Sequence, residues 1–456
     1  MLEDNLKMAE KIAASVAERG GRAFFVGGCV RDRLLGMENK DIDIEIHGIS
    51  YEALKEILES FGTLMVIGAS FGVFGLKGYD LDIAMPRKEK ATGRGHRDFE
   101  IDVDPFIGPE KAAVRRDFTV NAMLEDILTG EVLDFFRGRE DLENGIIRHV
   151  NRETFVEDPL RVLRAAQFAA RFGFDISDET RELCAGMDLS FLPAERVFEE
   201  MKKALLKAER PSVFFEELRR MDSLKVWFPE AEKLIGVRQS PKHHPEGDVW
   251  THTMLVLDRA AELRDRAVDP TGLMLSALCH DFGKVLTTTE ENGEIHSYNH
   301  ENAGLDEIAV FIRRITKEND LLKYVLNMTR LHMRPRVLVK DGASEKAFMR
   351  MYDESLEPRD LLLLTRADKT GTTKDVDYSK RELILEDMLK RYDELMSRPY
   401  VMGADLIEAG FEPSPLFSEA LQYAHKHRLA GMPKEESLAQ TIGYLKTLEK
   451  EHNAAK

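Results

Sequence analysis

The sequence predicts an α+β head, a mixed sheet with helices, followed by a mostly α-helical remainder. Three observations predict it. Residues 24–46, FFVGGCVRDRLLGMENKDIDIEI, run as apolar strand, glycine pair, short helix and second strand. Beyond residue 157 the strand signals give way to amphipathic helical stretches, beginning with EDPLRVLRAAQFAARFGF. A length of 456 residues, at roughly 100–200 residues per domain, leaves room for about three domains with ample core.

The elements of the head follow from local chemistry. Ala23 to Val26 is apolar and reads as a strand, Gly27 and Gly28 turn the chain, and Cys29 to Leu35 reads as a short helix closed by Gly36 at C′. Asp41-Ile42-Asp43-Ile44 opens the second strand, where alternation puts Asp41 and Asp43 on one face. Two neighbouring carboxylates repel each other unless a divalent cation lies between them. A glycine turn at a helix N-terminus presents backbone N–H groups to a phosphate. An isolated GG turn or Asp-x-Asp is usually unremarkable, but in this order they predict a nucleotide gripped by the turn and by Mg²⁺ on Asp41 and Asp43.

GGCVRDRLLG followed by KDIDI resembles the first motif of polymerase-β-type nucleotidyltransferases, and more closely that of the class II tRNA nucleotidyltransferases (CCA-adding enzymes) and related bacterial poly(A) polymerases. The resemblance implies a polymerase-β-like head in which Gly28 and Arg31 cradle the triphosphate. Asp82, in the expected strand YDLDIAMPRKEK, falls where the family carries a third acid, although a solvated strand charge explains it as well. A helix is expected from Tyr51 to Phe61, and a polar loop over residues 88–104. VRRDFTVNAM matches the second motif, so Arg115 and Arg116 are expected on triphosphate or RNA phosphates. Residues 133–150 match the third motif, read as a structural link.

EDPLRVLR has two readings. As plain helix chemistry, Asp158 is the N-cap and Pro159 the first helical residue. By family resemblance, Asp158 and Arg161, one helical turn apart, read the incoming base, and Arg164 serves the triphosphate. CTP and ATP both pair an amino donor with a ring-nitrogen acceptor; UTP and GTP present a carbonyl there, leaving the carboxylate unmatched at a cost of about 1–3 kcal/mol. Glu195 and Arg196 open a further helix, expected to be a structural support.

From His243 the chemistry changes. His252, His280, Asp281, His300, His332 and Asp368 occur in the order of an HD phosphohydrolase metal site, which this half resembles. Imidazole and carboxylate together favour Mn, Co, Ni or Fe over Mg²⁺, and the metal would activate water against a phosphodiester such as a 2′,3′-cyclic phosphate, with Lys284 near the phosphate. Near the end, VMGADLIEAGFEPSPLF resembles a class II segment, with Ser414 in place of its glycine.

Composition sets the outer limits. Hydrophobic content of 43% and charged content of 32% describe a soluble chain, no apolar run is long enough to span a membrane, and a cytoplasmic location is expected. Three scattered cysteines argue against disulfides and a cysteine zinc site. The net charge of −17 runs against nucleic-acid binding, so an RNA surface must be local. The expected division is a head at 1–150, a helical neck at 151–235, an HD domain at 236–375 and a helical C-terminal segment at 376–456. The implied activity is addition of C and A, from CTP and ATP, to tRNA. Addition of A alone, of CC alone or of poly(A) remains open, as does a phosphohydrolase whose head only binds RNA.

Overall fold

The computed structural model describes residues 2–38, 41–66, 73–91, 99–374 and 376–454. The chain divides into two compact units, Met1–Pro229 and Glu230–Lys456.

The first unit begins with α1 (Leu2–Glu18), β1 (Arg22–Val26), α2 (Gly28–Leu34), β2 (Ile42–His47), α3 (Tyr51–Phe61), β3 (Leu64–Val66), β4 (Val73–Leu76) and β5 (Leu81–Ala84). β6 (Arg87–Ala91), β7 (Phe99–Val103), β8 (Leu124–Asp126) and β9 (Val132–Leu133) follow. Seven strands make one sheet in the order β3-β4-β5-β2-β1-β8-β9. β2 and β5 pair in parallel while every other neighbouring pair is antiparallel, so the sheet is mixed as expected. α1 lays Met8, Ile12 and Val16 against the sheet at helical spacing. α3 is capped by the Ser50 side chain, which accepts from Ala53 N, and buries Leu54, Ile57 and Leu58. Phe24, Val26 and Leu124 form a core with Ala113 and Ala122.

Two expectations are corrected here. The single strand over YDLDIAMPRKEK is two strands in different sheets: Pro86 has no N–H to give a ladder, and the chain leaves β5 before it and enters β6 after it. The polar loop expected over residues 88–104 is, at its two ends, the antiparallel pair β6–β7, with Arg87 opposite Val103. Its glycines, and residues 67–72 of the glycine-rich stretch, lie outside the described residues.

The rest of this unit is mostly helical, with one short parallel pairing of Ile146–Ile147 with Asp175–Ile176. α4 (Leu160–Phe172) packs on α5 (Ala194–Lys207) and α6 (Ser212–Arg220), burying Val162, Leu163, Ala166 and Ala169. Phe118 of the RRDFT segment meets Phe155 and Phe168 edge to face, centroids 5.7 Å apart in both contacts.

The second unit contains α7 (Val249–Leu263), α8 (Pro270–Cys279), β10 (Thr288–Glu291), β11 (Glu294–Ser297), α9 (His300–Ala303), α10 (Asn319–Leu331), α11 (Arg334–Lys340) and α12 (Pro358–Thr370), with further helices to Ala454. α8 is apolar all round and wholly buried from Gly272 to Cys279, packed by α7, α10 and α12. Its C-terminal end therefore delivers His280 and Asp281 to the interior. Among the described residues no helix is long and apolar enough to cross a membrane.

Candidate active site

In the head, strand register assembles the carboxylates. Parallel pairing of β2 and β5 sets Asp43 opposite Asp82, and Asp41 stands immediately before β2. The Asp43 carboxyl is pushed up, first by burial and then by Asp82, against the pull of Arg116; Asp41 adds to the rise. A site that resists its own negative charge, built of oxygen donors only, suits a hard divalent cation. The turn before α2 lies against the same place. Gly27 has φ 69°, and a Cβ there would stand 3.2 Å from Arg116 Nη1 and 3.8 Å from Asp43 Oδ2. Only glycine leaves that gap open in that conformation. Arg116 Nη2 also donates to Glu45 Oε2 at 3.3 Å, and Glu45 is a buried residue that sequence reading passed over. Among the described residues the tight ligand clusters all lie in the second unit, so the head acids line one wall without closing into such a cluster.

The arginines are placed otherwise than expected. Arg31 is only 3% exposed; its Nε and Nη2 donate to Asp32 Oδ1 at 2.7 and 2.5 Å, and its Nη1 to Asn121 Oδ1 at 2.6 Å. It braces α2 against the RRDFT segment and presents no open guanidinium to a phosphate. Arg164 is bound to Asp117 Oδ2 through Nε at 2.7 Å and Nη2 at 2.6 Å, which corrects its expected triphosphate contact. Burial pushes the Asp117 carboxyl up, but Arg164 and the Asn121 amide outweigh it and hold it low. Arg161 donates through Nη1 to Thr154 O at 2.7 Å and through Nη2 to Arg115 O at 2.6 Å. Two of its five N–H groups are thus committed to backbone. Asp158 Oδ1 accepts from Leu160 N at 3.1 Å and Oδ2 lies 3.8 Å from Arg196 Nη2. Its helix starts at Leu160 with Pro159 as the cap, one residue later than expected, yet the carboxylate still serves the helix entrance. Asp117 and Asn121, in the quoted motif but given no role, link α2, RRDFT and α4.

In the second unit all six expected ligands converge. His252 comes from α7, His280 and Asp281 from the end of α8, His300 opens α9, His332 ends α10 and Asp368 lies on α12. Asp281 Oδ2 is 3.2 Å from His280 Nε2 and its Oδ1 3.2 Å from His300 Nε2. His252 Nε2 is 3.2 Å from Asp368 Oδ1, and His300 and His332 meet Nε2 to Nε2 at 3.4 Å. Each ring's other nitrogen is held from behind: Nδ1 of His280 by Ala277 O at 2.8 Å, of His300 by Ser297 O at 2.8 Å, of His332 by Thr329 O at 2.6 Å and of His252 by Glu246 at 2.9 Å. That arrangement turns every Nε2 lone pair inward, as metal ligation requires. His280 Nε2 is buried and makes no aligned hydrogen bond, a need that a cation would satisfy. Burial, then His300 and His280, drive His332 down to about 3, a neutral donor. At His252 burial is outweighed by Asp368 and Glu246, which raise it to about 9. Glu246 and His244 were missed as candidates, though both lie just ahead of His252 in the sequence HHPEGDVWTH; Glu246 binds His244, His252 and Thr372. A cavity of about 220 Å³ opens on this centre, lined by Lys284, Arg336 and Tyr298 among others.

Comparison with known proteins identifies the domains that carry the two sites. Three family models match: the poly A polymerase head domain over residues 23–148, the probable RNA and SrmB-binding site of polymerase A over 173–235, and the HD domain over 249–372. The multifunctional CCA protein of Actinobacillus pleuropneumoniae is 34% identical over 414 residues, 87% of this chain and 95% of that protein. The chain belongs to the multifunctional CCA protein family. The Pasteurella multocida member is 36% identical over 417 residues, 87% of this chain and 94% of its own. The fold extends further than sequence identity. A Bacillus stearothermophilus CCA-adding enzyme solved with CTP superposes with a TM-score of 0.67 at 21% identity, covering 98% of this chain and 99% of that one. A Thermotoga maritima CCA-adding enzyme complexed with tRNA gives 0.62 at 21% identity over 96% and 95%. A nucleotidyltransferase head and an HD domain, both of kinds that generally use divalent metals, share this chain.

Proposed function

We propose that this family member adds CMP and AMP, from CTP and ATP, to the 3′ end of tRNA, releasing pyrophosphate. The observation that carries the reading is the pairing of Asp43 with Asp82 across β2 and β5, facing Gly27 and Arg116. Asp41 and Asp43 would hold Mg²⁺, with Asp82 as the third acid; bound there, it would supply Lewis acidity toward the RNA 3′-hydroxyl and the triphosphate. Gly27 leaves room for a phosphate beside Arg116, with Gly28 opening the helix there, and Arg115 adds charge. Arg31 and Arg164 act one step back, fixing α2 and the RRDFT segment that carry these groups. Asp158 and the uncommitted donors of Arg161 read the base.

The second centre is a metal-dependent phosphohydrolase built on His252, His280, Asp281, His300, His332 and Asp368, taking Mn, Co, Ni or Fe. A cation bound there supplies Lewis acidity for cleaving a phosphodiester, and Lys284, 2.7 Å from Asp281, neutralises the phosphate. The head spans 1–150, the neck 151–235, the HD domain 236–375 and the tail 376–456. Its three buried, unpaired thiols fit work in a reducing cytoplasm.

Purified protein incubated with tRNA lacking CCA, lacking only A, or intact, and with each labelled NTP in turn and in combination, tests the reading. Growth of truncated tRNA to CCA and no further supports it. Extension of any RNA by A alone, or hydrolysis without incorporation, points instead to a poly(A) polymerase or to a hydrolase with an RNA-binding head.

A further inference from the structure

Behind the nucleotide site the head sheet buries a carboxylate that neither metal binding nor strand pairing requires. Alternation along β2 puts Asp43, Glu45 and His47 on one face. Asp43 stands at the site, and Glu45 and His47 follow it one and two steps behind, both buried. Glu45 is in register with Phe24 of β1 and Ala84 of β5, so its direct neighbours across both ladders are apolar. A charge in such surroundings is costly unless both of its oxygens are answered. They are answered from opposite sides. Oε1 accepts from His47 Nε2 at 2.9 Å, and the His47 ring stands edge-on to Phe24 with centroids 5.4 Å apart. Oε2 accepts from Arg116 Nη2 at 3.3 Å. Arg116 then reaches from the buried pair to the open site. Its side chain is 21% exposed against 4% for Glu45, and its Nη1 borders the gap that Gly27 leaves open.

We propose that Glu45 is a positioning residue: held from behind by His47, it aims the Arg116 guanidinium at the triphosphate of the incoming nucleotide. The inference rests on the nucleotide-addition reading and deepens it. An arginine free to swing loses rotamer freedom when it grips a phosphate, whereas one tied through Nη2 has lost that freedom already on folding. The tie also fixes the plane of the guanidinium fork, and with it the direction in which Nη1 meets a phosphate oxygen.

The test is steady-state incorporation of labelled CTP into tRNA lacking CCA by the full-length protein with Mg²⁺, compared among Glu45→Gln, Arg116→Ala and the double variant. In Glu45→Gln, which keeps the shape and removes the charge, KM for CTP rises about tenfold while KM for tRNA is kept. The double variant is no worse than Arg116→Ala, because nothing is left to aim. An unchanged KM for CTP in Glu45→Gln, or losses that multiply in the double variant, overturns the inference. Should Glu45→Gln fail to fold, Glu45→Leu, which suits Phe24 and Ala84, is measured in its place against the same two outcomes. Wild-type protein that incorporates no nucleotide overturns the nucleotide-addition reading instead. Equilibrium binding of CTP with Mg²⁺ then decides the positioning: its Kd must rise about tenfold in Glu45→Gln, and an unchanged Kd or no binding by the wild type overturns it.

Discussion

Residue by residue, the buried ion pairs of the head decide more than its exposed charges. Asp117 accepts from Phe118 N, Asn121 Nδ2 and Arg164, so Asp117→Ala strands several donors at once. Loss of about 1–3 kcal/mol is expected in urea unfolding, because buried groups lose their partners. Glu45 makes a pH prediction. Burial opposes its ionisation, but hydrogen bonding from His47 and the charge of Arg116 outweigh it and lower the carboxyl from 4.5 to about 2. Its contribution, roughly 3 kcal/mol, is whole above pH ~4.5 and is lost as pH falls toward 2. Glu45→Gln should flatten that acid limb in unfolding measured between pH 2 and 5, and a limb as steep as the wild type's would count against it. These carboxylates also show why site reading at this scale was uneven. Asp43 and the six HD residues were legible because strand alternation and motif order fix what they face. Arg31 and Arg164 were not: a guanidinium beside a phosphate motif looks the same in sequence whether it faces the ligand or braces the wall. Only the positions of Asp32, Asn121 and Asp117 distinguish the two.

At the scale of elements, close backbone approaches set the geometry. A Cβ on Gly283 would stand 2.0 Å from His300 O and 2.7 Å from Gly304 N, so the loop after Asp281 touches α9 backbone to backbone. Gly283→Ala must push His300 away from Asp281. Metal affinity of the second unit is expected to fall about 10–100-fold, read by metal content after dialysis, and full retention would contradict the account. The helices were largely legible, since α3, α4 and α5 carry the spacing of buried apolar residues that a 3.6-residue period demands. The strands after residue 79 were less so. Pro86 was a readable break, and Asn292-Gly293 a readable hairpin turn, but short polar strands such as β10, TTEE, carry no apolar alternation to announce them.

For the whole molecule, the account holds that one chain carries two separate chemistries, one in each compact unit. The division follows from what each site is made of: oxygen donors and arginines on a sheet in the first, imidazoles at helix ends in the second. A net charge of −17 remains compatible with RNA because local cations, not the total, meet phosphates. The central claim is that Asp43, beside Asp82 and Gly27, runs nucleotide addition. Its most direct test is incorporation of labelled CTP and ATP into tRNA lacking CCA by Asp43→Ala, with phosphodiester hydrolysis assayed in the same preparation. The account predicts that incorporation falls to background while hydrolysis persists; incorporation by Asp43→Ala at the wild-type rate would contradict it.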